Sequence, residues 1–338
     1  MQDKETTTAP MDTSDLDQLF SLPADQAWQA LFDLLWQRFA QPLRPEIADA
    51  QTTDRDRACA KLDNLLSGSA WELWQHYEAT APRTSQALKH FWAEHNHGKS
   101  ILILDALSLR ELPWLLEQAA ARGYTLHKQC VTGAEIPGDT TPFAKALGFG
   151  QRSSLANNKG NSTDFPGAFT DTSDLPFADC NALIKAEPNV IFWHEWPDSE
   201  MHDLADDNGY RKLAKSAASQ LRSDDFWSLV ETLTTGRRLV ITADHGYAHS
   251  GLFPDVTNRE QSDYLKSNFK SGRASQVEPG DKPHYWVPPL TQIIESQHGR
   301  YELVLGRRKW KSQGGYPALT HGGLSLLEVA VPFIEISR

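Results

Sequence analysis

Asp244 and His245 stand side by side at the end of the run Arg238-Leu239-Val240-Ile241-Thr242-Ala243, and Gly246 follows them. A carboxylate and an imidazole can both ligate one divalent cation if the backbone turns sharply after them, as glycine allows. A polar loop after any strand gives the same three letters, so the weight comes from how many other strand ends finish the same way. Asp105 closes the apolar run Ile101-Leu102-Ile103-Leu104, and Asp198 and His202 follow Asn189-Val190-Ile191-Phe192-Trp193-His194 and Pro197. Four residues apart on a helix, Asp198 and His202 share a face and can share an ion. Thr140 and Thr141 precede Pro142, and proline fits the first position of a helix. A hydroxyl there is either a cap or a nucleophile ionised by a metal, with the helix amino terminus favouring anions. His321 adds one more imidazole before Gly322-Gly323. Divided in two, Asp105, Thr140, Asp244 and His245 make one ligand set, and Asp198, His202 and His321 make a second with an open position. Such oxygen and nitrogen sets suit two divalent metal ions, zinc or alternatively manganese. Two metals about 4 Å apart clamp the attacking and leaving oxygens of an in-line displacement.

Positioning these residues requires a sheet whose strands all end on one side. The run Leu239–Ile241 is apolar and β-branched, as expected of a strand covered on both faces. Residues 98–105, a helix from about Leu109 to Gly123 and a strand around 124–131 form a βαβ opening, and in such sheets sites lie outside the carboxyl ends of the strands. Helices are expected near 210–221 and 224–234, and a closing strand over 329–336. Residues 150–187 and 254–283 are polar excursions expected to carry little regular structure. Ahead of the sheet, Trp28, Leu31, Phe32, Leu35, Trp36 and Phe39 recur at three- and four-residue intervals, the mark of an amphipathic helix. Further helical segments are expected near 53–66, 70–78 and 84–94. The expected fold is α/β, a mostly parallel central sheet flanked by helices, with a small helical unit over 16–95. Residues 1–15 are polar and unpatterned, and read as a disordered tail.

Composition excludes several classes. The chain has 338 residues, 40% hydrophobic and 23% charged, which suffices for a large core without covalent staples. Cys59, Cys130 and Cys180 have no paired spacing, which argues against a disulfide framework and against thiolate zinc. No run of about 18 apolar residues marks a membrane span, and the start lacks a secretory pattern, so a cytoplasmic location is expected. The net charge of −11 disfavours broad attraction to nucleic acid or anionic membrane, though it leaves room for a local site.

The order of these motifs resembles PglZ-domain proteins of the alkaline phosphatase superfamily. The matching stretches are Ile103-Leu104-Asp105, Pro137-Gly138-Asp139-Thr140, His194-Glu195-Trp196-Pro197-Asp198 with His202, Thr242-Ala243-Asp244-His245-Gly246, and Thr320-His321-Gly322-Gly323-Leu324-Ser325 with Glu328. The resemblance spans residues 98–338 and leaves the first 95 unassigned. It implies an alkaline-phosphatase-like core and a hydrolase of phosphate esters, with phosphodiesters, including oligonucleotides, as substrates. It further implies two metal ions and a threonine nucleophile. Thr140 stands two residues before Pro142, while Thr141 is the adjacent alternative. Lys145, Arg300, Arg307 and Arg308 are candidates to balance charge on the substrate phosphate. A phosphomonoesterase or sulfatase on the same scaffold is the alternative, as is an interaction subunit of a phage-defence or signalling assembly docking a protein partner through its helical unit.

Overall fold

A computed structural model describes residues 21–94, 98–204, 209–270, 272–282, 284–311 and 318–338. The expected tail over 1–15 lies outside these. The chain enters through helices α1 (Ala24–Phe39), α2 (Ala48–Gly68) and α3 (Thr84–Glu94). Between α2 and α3 the expected helix is instead a tight 3-10 segment, Trp71–His76, followed by one helical turn.

The central sheet has six strands: β1 (Gly98–Leu104), β2 (Thr125–Gly133), β3 (Phe169–Ser173), β4 (Asn189–His194), β5 (Arg237–Thr242) and the C-terminal β11 (Ala330–Ser337). Their order is β2-β11-β5-β1-β4-β3. Strands β3, β4, β1 and β5 pair parallel, while β11 runs antiparallel between β5 and β2. Reversal of β11 matters: its amino end, not its carboxyl end, lies beside the carboxyl ends of the others. The segment before it, carrying His321, is thereby delivered to the same edge as Asp105 and Asp244. Pro332 within β11 is tolerated because pairing to β5 begins only at Phe333.

Both faces of the sheet are covered, as its continuous apolar strands require. Ile101, Ile103, Ile191, Trp193 and Val240 pack on one side with Leu88, Phe91 and Trp92 of α3. Leu102, Leu104, Phe192, Leu239 and Ile241 face the other side, in a core that also holds Trp28, Leu31, Phe32 and Leu35 of α1 and Leu62 and Leu66 of α2. The amino-terminal helices therefore share the main core with the sheet. Helices α4 (Leu112–Ala121), α7 (Gly209–Arg222) and α8 (Asp224–Thr234) complete that layer, α8 starting where Ser223 Oγ accepts from the Phe226 amide.

Two expectations of irregular structure are corrected. The first excursion contributes β3, an edge strand whose polar sequence Phe-Thr-Asp-Thr-Ser lacks an apolar run. The second contains helix α9 (Arg259–Phe269), capped by Asn258, and strand β7 (Ala274–Gln276) of a small antiparallel sheet with β8 (Thr291–Ser296) and β9 (Gly299–Val304). A two-residue pair, β6 (Ala248–His249) with β10 (Leu319–Thr320), ties the segment after His245 to the segment before His321. Among the described residues no helix is long and apolar enough to cross a membrane.

Candidate metal centre

Helices α5 (Thr140–Ala146), α6 (Asp198–Asp203) and α10 (Leu326–Val329) lie at the carboxyl edge of the sheet. Asp105 follows β1 directly, its amide bonded to His194 O at 3.0 Å, and its carbonyl receives the Asp198 amide at 3.1 Å. Loops after β1 and β4 are thus joined at the two ligand-type residues themselves. Ala106 holds a left-handed φ of 62°, uncommon without glycine, and its amide donates to Asp244 Oδ1 at 3.1 Å. That bond locks the Asp244 carboxylate in place.

Six of the seven residues fall into two groups, the potential ligand atoms of each lying within 4.8 Å of one another: Asp105, Asp244 and His245, all buried, and Asp198, His202 and His321, more open. Thr140 Oγ1 donates to Asp105, 3.3 Å from each carboxylate oxygen, while Thr141 is exposed. At seven residues α5 is too short for its dipole to carry an argument; the neighbour that matters to Thr140 is Asp105. His245 Nδ1 donates to Gly246 O at 3.0 Å, which leaves the Nε2 lone pair directed at Asp105 Oδ1 and Asp244 Oδ2, 3.4 and 3.5 Å away. His321 does the same with Gly138 O at 3.2 Å, and its ring stacks on that of His245 at 4.2 Å. His202 Nε2 is 3.3 Å from Asp198 Oδ2, and His321 Nε2 is 3.8 Å from Asp198 Oδ1.

Electrostatics sets this corner apart. Burial, then the charges of Asp244 and Asp198, hold the Asp105 carboxyl well above the usual carboxylate range. Burial pushes Asp198 upward too, but hydrogen bonding to His202 and the nearby His321 and His245 outweigh it and bring it to about 2. Asp244 Oδ2, His245 Nε2 and Asp198 Oδ1 are buried without a hydrogen-bond partner. Orphaned carboxylate and imidazole atoms converging in this way, with their ring tautomers already fixed, fit a pair of divalent cations.

Sequence reasoning missed Arg152. From the first excursion its Nη1 reaches Asp105 Oδ2 at 2.9 Å, and Nη2 pairs with Glu195. No spacing flagged it, because a single arginine in a polar insertion has no periodic signature. Glu328 was noted only as part of a motif. It is fully buried, accepts from the Gly323 amide through Oε1 at 2.8 Å and from Ser325 through Oε2 at 2.6 Å, and its carbonyl receives the Gly246 amide at 2.8 Å. One residue thereby joins the turns after His245 and His321, its charge balanced by Arg273 Nε at 2.7 Å.

Of the four expected phosphate contacts, one is ruled out and the other three have neighbours of their own. Arg307 is corrected outright: it is fully buried, with Nε 2.6 Å from Asp63 Oδ2 and Nη1 on Asp56, so it cannot meet a substrate. Its charge follows β9 back into the core, where two carboxylates of α2 compensate it. Arg300 is committed to the Glu278 and Asp281 carbonyls, and the Arg308 guanidinium lies 5.9 Å over the Phe253 ring. Lys145 is exposed and lines a separate pocket with Lys89, Asp164 and His298.

The profile of the family described as the BREX system PglZ alkaline phosphatase-like domain matches residues 168–336, half of the chain. By class this is an alkaline phosphatase-like domain of the hydrolase type. More narrowly, the chain belongs to the PglZ family. The matched stretch includes Asp198, His202, Asp244, His245 and His321, whereas Asp105 and Thr140 precede it and rest on the geometry above. No curated protein matches the sequence. Similar solved structures include murine ectonucleotide pyrophosphatase/phosphodiesterase 5, at 12% identity over 71% of this chain and 88% of that one, with a TM-score of 0.43. The human protein of the same name gives 14%, 70% and 87%, with a TM-score of 0.40. A phosphonoacetate hydrolase from Sinorhizobium meliloti with bound phosphonoacetate gives 12%, 70% and 89%, with a TM-score of 0.37.

Proposed function

We propose that this chain is a metal-dependent phosphodiesterase in which Thr140 is the nucleophile. The observation that carries the reading is a charge imbalance. Three carboxylates, Asp105, Asp198 and Asp244, meet at one edge of the sheet against the single guanidinium of Arg152, with ligand atoms left unpaired. A protein seldom leaves such a deficit unless cations fill it. Asp105, Asp244 and His245, with the Thr140 hydroxyl, would hold one ion, and Asp198, His202 and His321 the other. Bound there, zinc or manganese would supply positive charge that favours the ionised threonine and an anionic phosphoryl group.

The rest belongs to the chain. Asp105 orients Thr140 Oγ1, which donates to its carboxylate. Attack forms the Oγ1–P bond as the ester bond to one alcohol breaks, leaving a threonyl phosphodiester. Water then forms a new O–P bond as the Thr140–P bond breaks, and the free hydroxyl is restored. Arg152, hinged between Asp105 and Glu195, is the cation best placed to follow a non-bridging phosphoryl oxygen. The tests are metal analysis and hydrolysis of bis-p-nitrophenyl phosphate and short oligonucleotides, in wild type and Thr140→Ala. Turnover dependent on zinc or manganese, falling roughly a thousandfold or more in the variant, supports the reading. Equal rates in the two proteins would sink the nucleophile assignment, and a monoester-to-diester rate ratio far above one would favour a monoesterase. Family membership in a BREX-named group also supports a role in a phage-defence assembly, tested by co-purification from a host carrying one.

A further inference from the structure

We infer that Asp56 and Asp63 of α2 are positioning residues for the His245 and His321 turns, so that the amino-terminal helices complete the metal centre. The inference rests on the metal-binding reading above and extends it to residues remote from the ligands. Asp56 and Asp63 are seven positions apart, about two helical turns, and share one face of α2. Both are buried, at 0% and 1% exposure. Asp56 Oδ1 accepts from Arg110 Nη2 at 2.8 Å and from Arg307 Nη1, and Oδ2 lies 3.0 Å from His249 Nδ1. Arg110 Nη1 continues to Tyr247 O at 2.8 Å, with its guanidinium 4.5 Å over the Tyr247 ring. Asp56 therefore grips the segment after His245 at two points, Tyr247 through Arg110 and His249 directly. Asp63 Oδ1 accepts from the Leu326 amide at 2.7 Å, at the first residue of α10 where the turn after His321 ends, and Oδ2 shares Arg307 with Asp56. The β6–β10 pair closes the loop, since His249 lies opposite Leu319.

A purely stabilising role is a poor account of this network. Buried ion pairs are often no better for stability than apolar groups of equal volume, while they do fix orientation. Here the bonds from α2 end on the segments that carry the buried His245 and the partly exposed His321, both of which need their ring nitrogens aimed within tenths of an ångström. Arg55, on the same helix, is the internal contrast: it binds the Phe39, Gln41 and Pro42 carbonyls within the helical unit and reaches neither turn.

The experiment uses the full chain as wild type, Asp56→Asn, Asp63→Asn and Arg55→Met. In metal-free protein, amide exchange over 244–249 and 319–328 should accelerate on the order of tenfold in the two asparagine variants relative to Arg55→Met. Calorimetric titration with Mn2+ or Zn2+ should show affinity about tenfold weaker in the same two and unchanged in Arg55→Met. If both asparagine variants lose thermal stability yet keep wild-type exchange in those segments and wild-type metal affinity, the inference is overturned. Should Asp56→Asn not fold, Asp63→Asn decides alone, because its single carbonyl oxygen cannot serve both the Leu326 amide and Arg307 Nε, while Asp56 keeps Arg307. A wild type that binds no divalent cation removes the proposed function, and the exchange comparison then judges the positioning role by itself.

Discussion

Gly246→Ala is the sharpest single test of the site geometry. A Cβ built on Gly246 would lie 2.3 Å from Leu327 O and 3.4 Å from Leu327 C. Ordinary contacts of this kind begin at about 3.4 Å, so the backbone must move by roughly 1.1 Å, and neither partner is a flexible side chain. Gly246 has no positive φ, so steric contact is the whole cost. Overpacking at such a position costs ~1–3 kcal/mol, a few degrees of Tm in a chain of this size. The larger effect falls on function, because His245 precedes the displaced residue and Glu328 O holds its amide. A shift near 1 Å costs about 100-fold in rate at a positioned site. Gly138→Ala supplies the control from the same corner: its nearest contacts would be Glu328 O at 3.5 Å and His245 Cβ at 3.6 Å, both ordinary. Thermal melts and metal-dependent diester hydrolysis on both variants decide the matter. Equal behaviour of the two would refute the claim that the His245 turn has no room to move.

Other expectations follow from charge. Asp105→Asn should abolish metal binding yet stabilise the metal-free fold above the ordinary carboxylate range. The raised Asp105 carboxyl makes the folded state bind more protons than the unfolded one, so wild-type stability falls as pH rises past about 3.8, and the variant, compared by urea unfolding across pH, should lose that slope. Glu135 behaves oppositely. Although burial opposes it, His298, Arg83, Ser85 and Gln297 bring its carboxyl from 4.5 to about 2, worth ~3 kcal/mol present above the unfolded value and lost as pH falls through the folded one. Glu135→Gln should therefore cost about that much at pH 7 and nothing near pH 2, read from unfolding midpoints. Arg152→Met should lower kcat/KM for diesters about 10- to 100-fold while leaving metal affinity at or above wild type; a weaker metal affinity would place Arg152 in support of the ligands instead.

Much of this arrangement was legible in the sequence because strand ends announce themselves. Asp105, Asp198 and Asp244 each terminate or closely follow an apolar run, and parallel topology alone brings such positions to one edge. The reversal of β11 was not legible, since an antiparallel strand ending the chain has the same apolar letters as a parallel one. Arg307 misled for a related reason. Its cluster with Arg308 and Lys309 looks like a basic rim in one dimension, but its partners, Asp56 and Asp63, lie some 250 residues earlier in a helix whose own pattern reads as ordinary surface acid. Strand β3 went unread because its edge position permits polar residues at nearly every site.

The two buried charge clusters in this chain show why one is assigned chemistry and the other support. Around Asp56 and Asp63, two carboxylates meet Arg110 and Arg307, so like numbers of each sign are paired at hydrogen-bond distance. Around Asp105 the signs do not balance, and the orphaned atoms are ligand types, Asp244 Oδ2, Asp198 Oδ1 and His245 Nε2, whereas those of the other cluster include the donors Arg110 Nε and Arg307 Nη2; Ala106 also holds an uncommon backbone conformation that the surroundings must sustain. Charge balance is broken at one cluster and kept at the other, and violations of that kind concentrate where a fold gives up stability for function. Linkage then makes the two clusters test each other. If α2 sharpens the metal centre by some factor, bound metal must steady the α2 contacts by the same factor. Zinc or manganese should therefore slow exchange of the Leu326 amide and of the Tyr247–His249 segment in wild type. The slowing should shrink in Asp63→Asn by the same ratio as the loss of metal affinity, and unequal ratios would mean that the two clusters share a core without sharing a function.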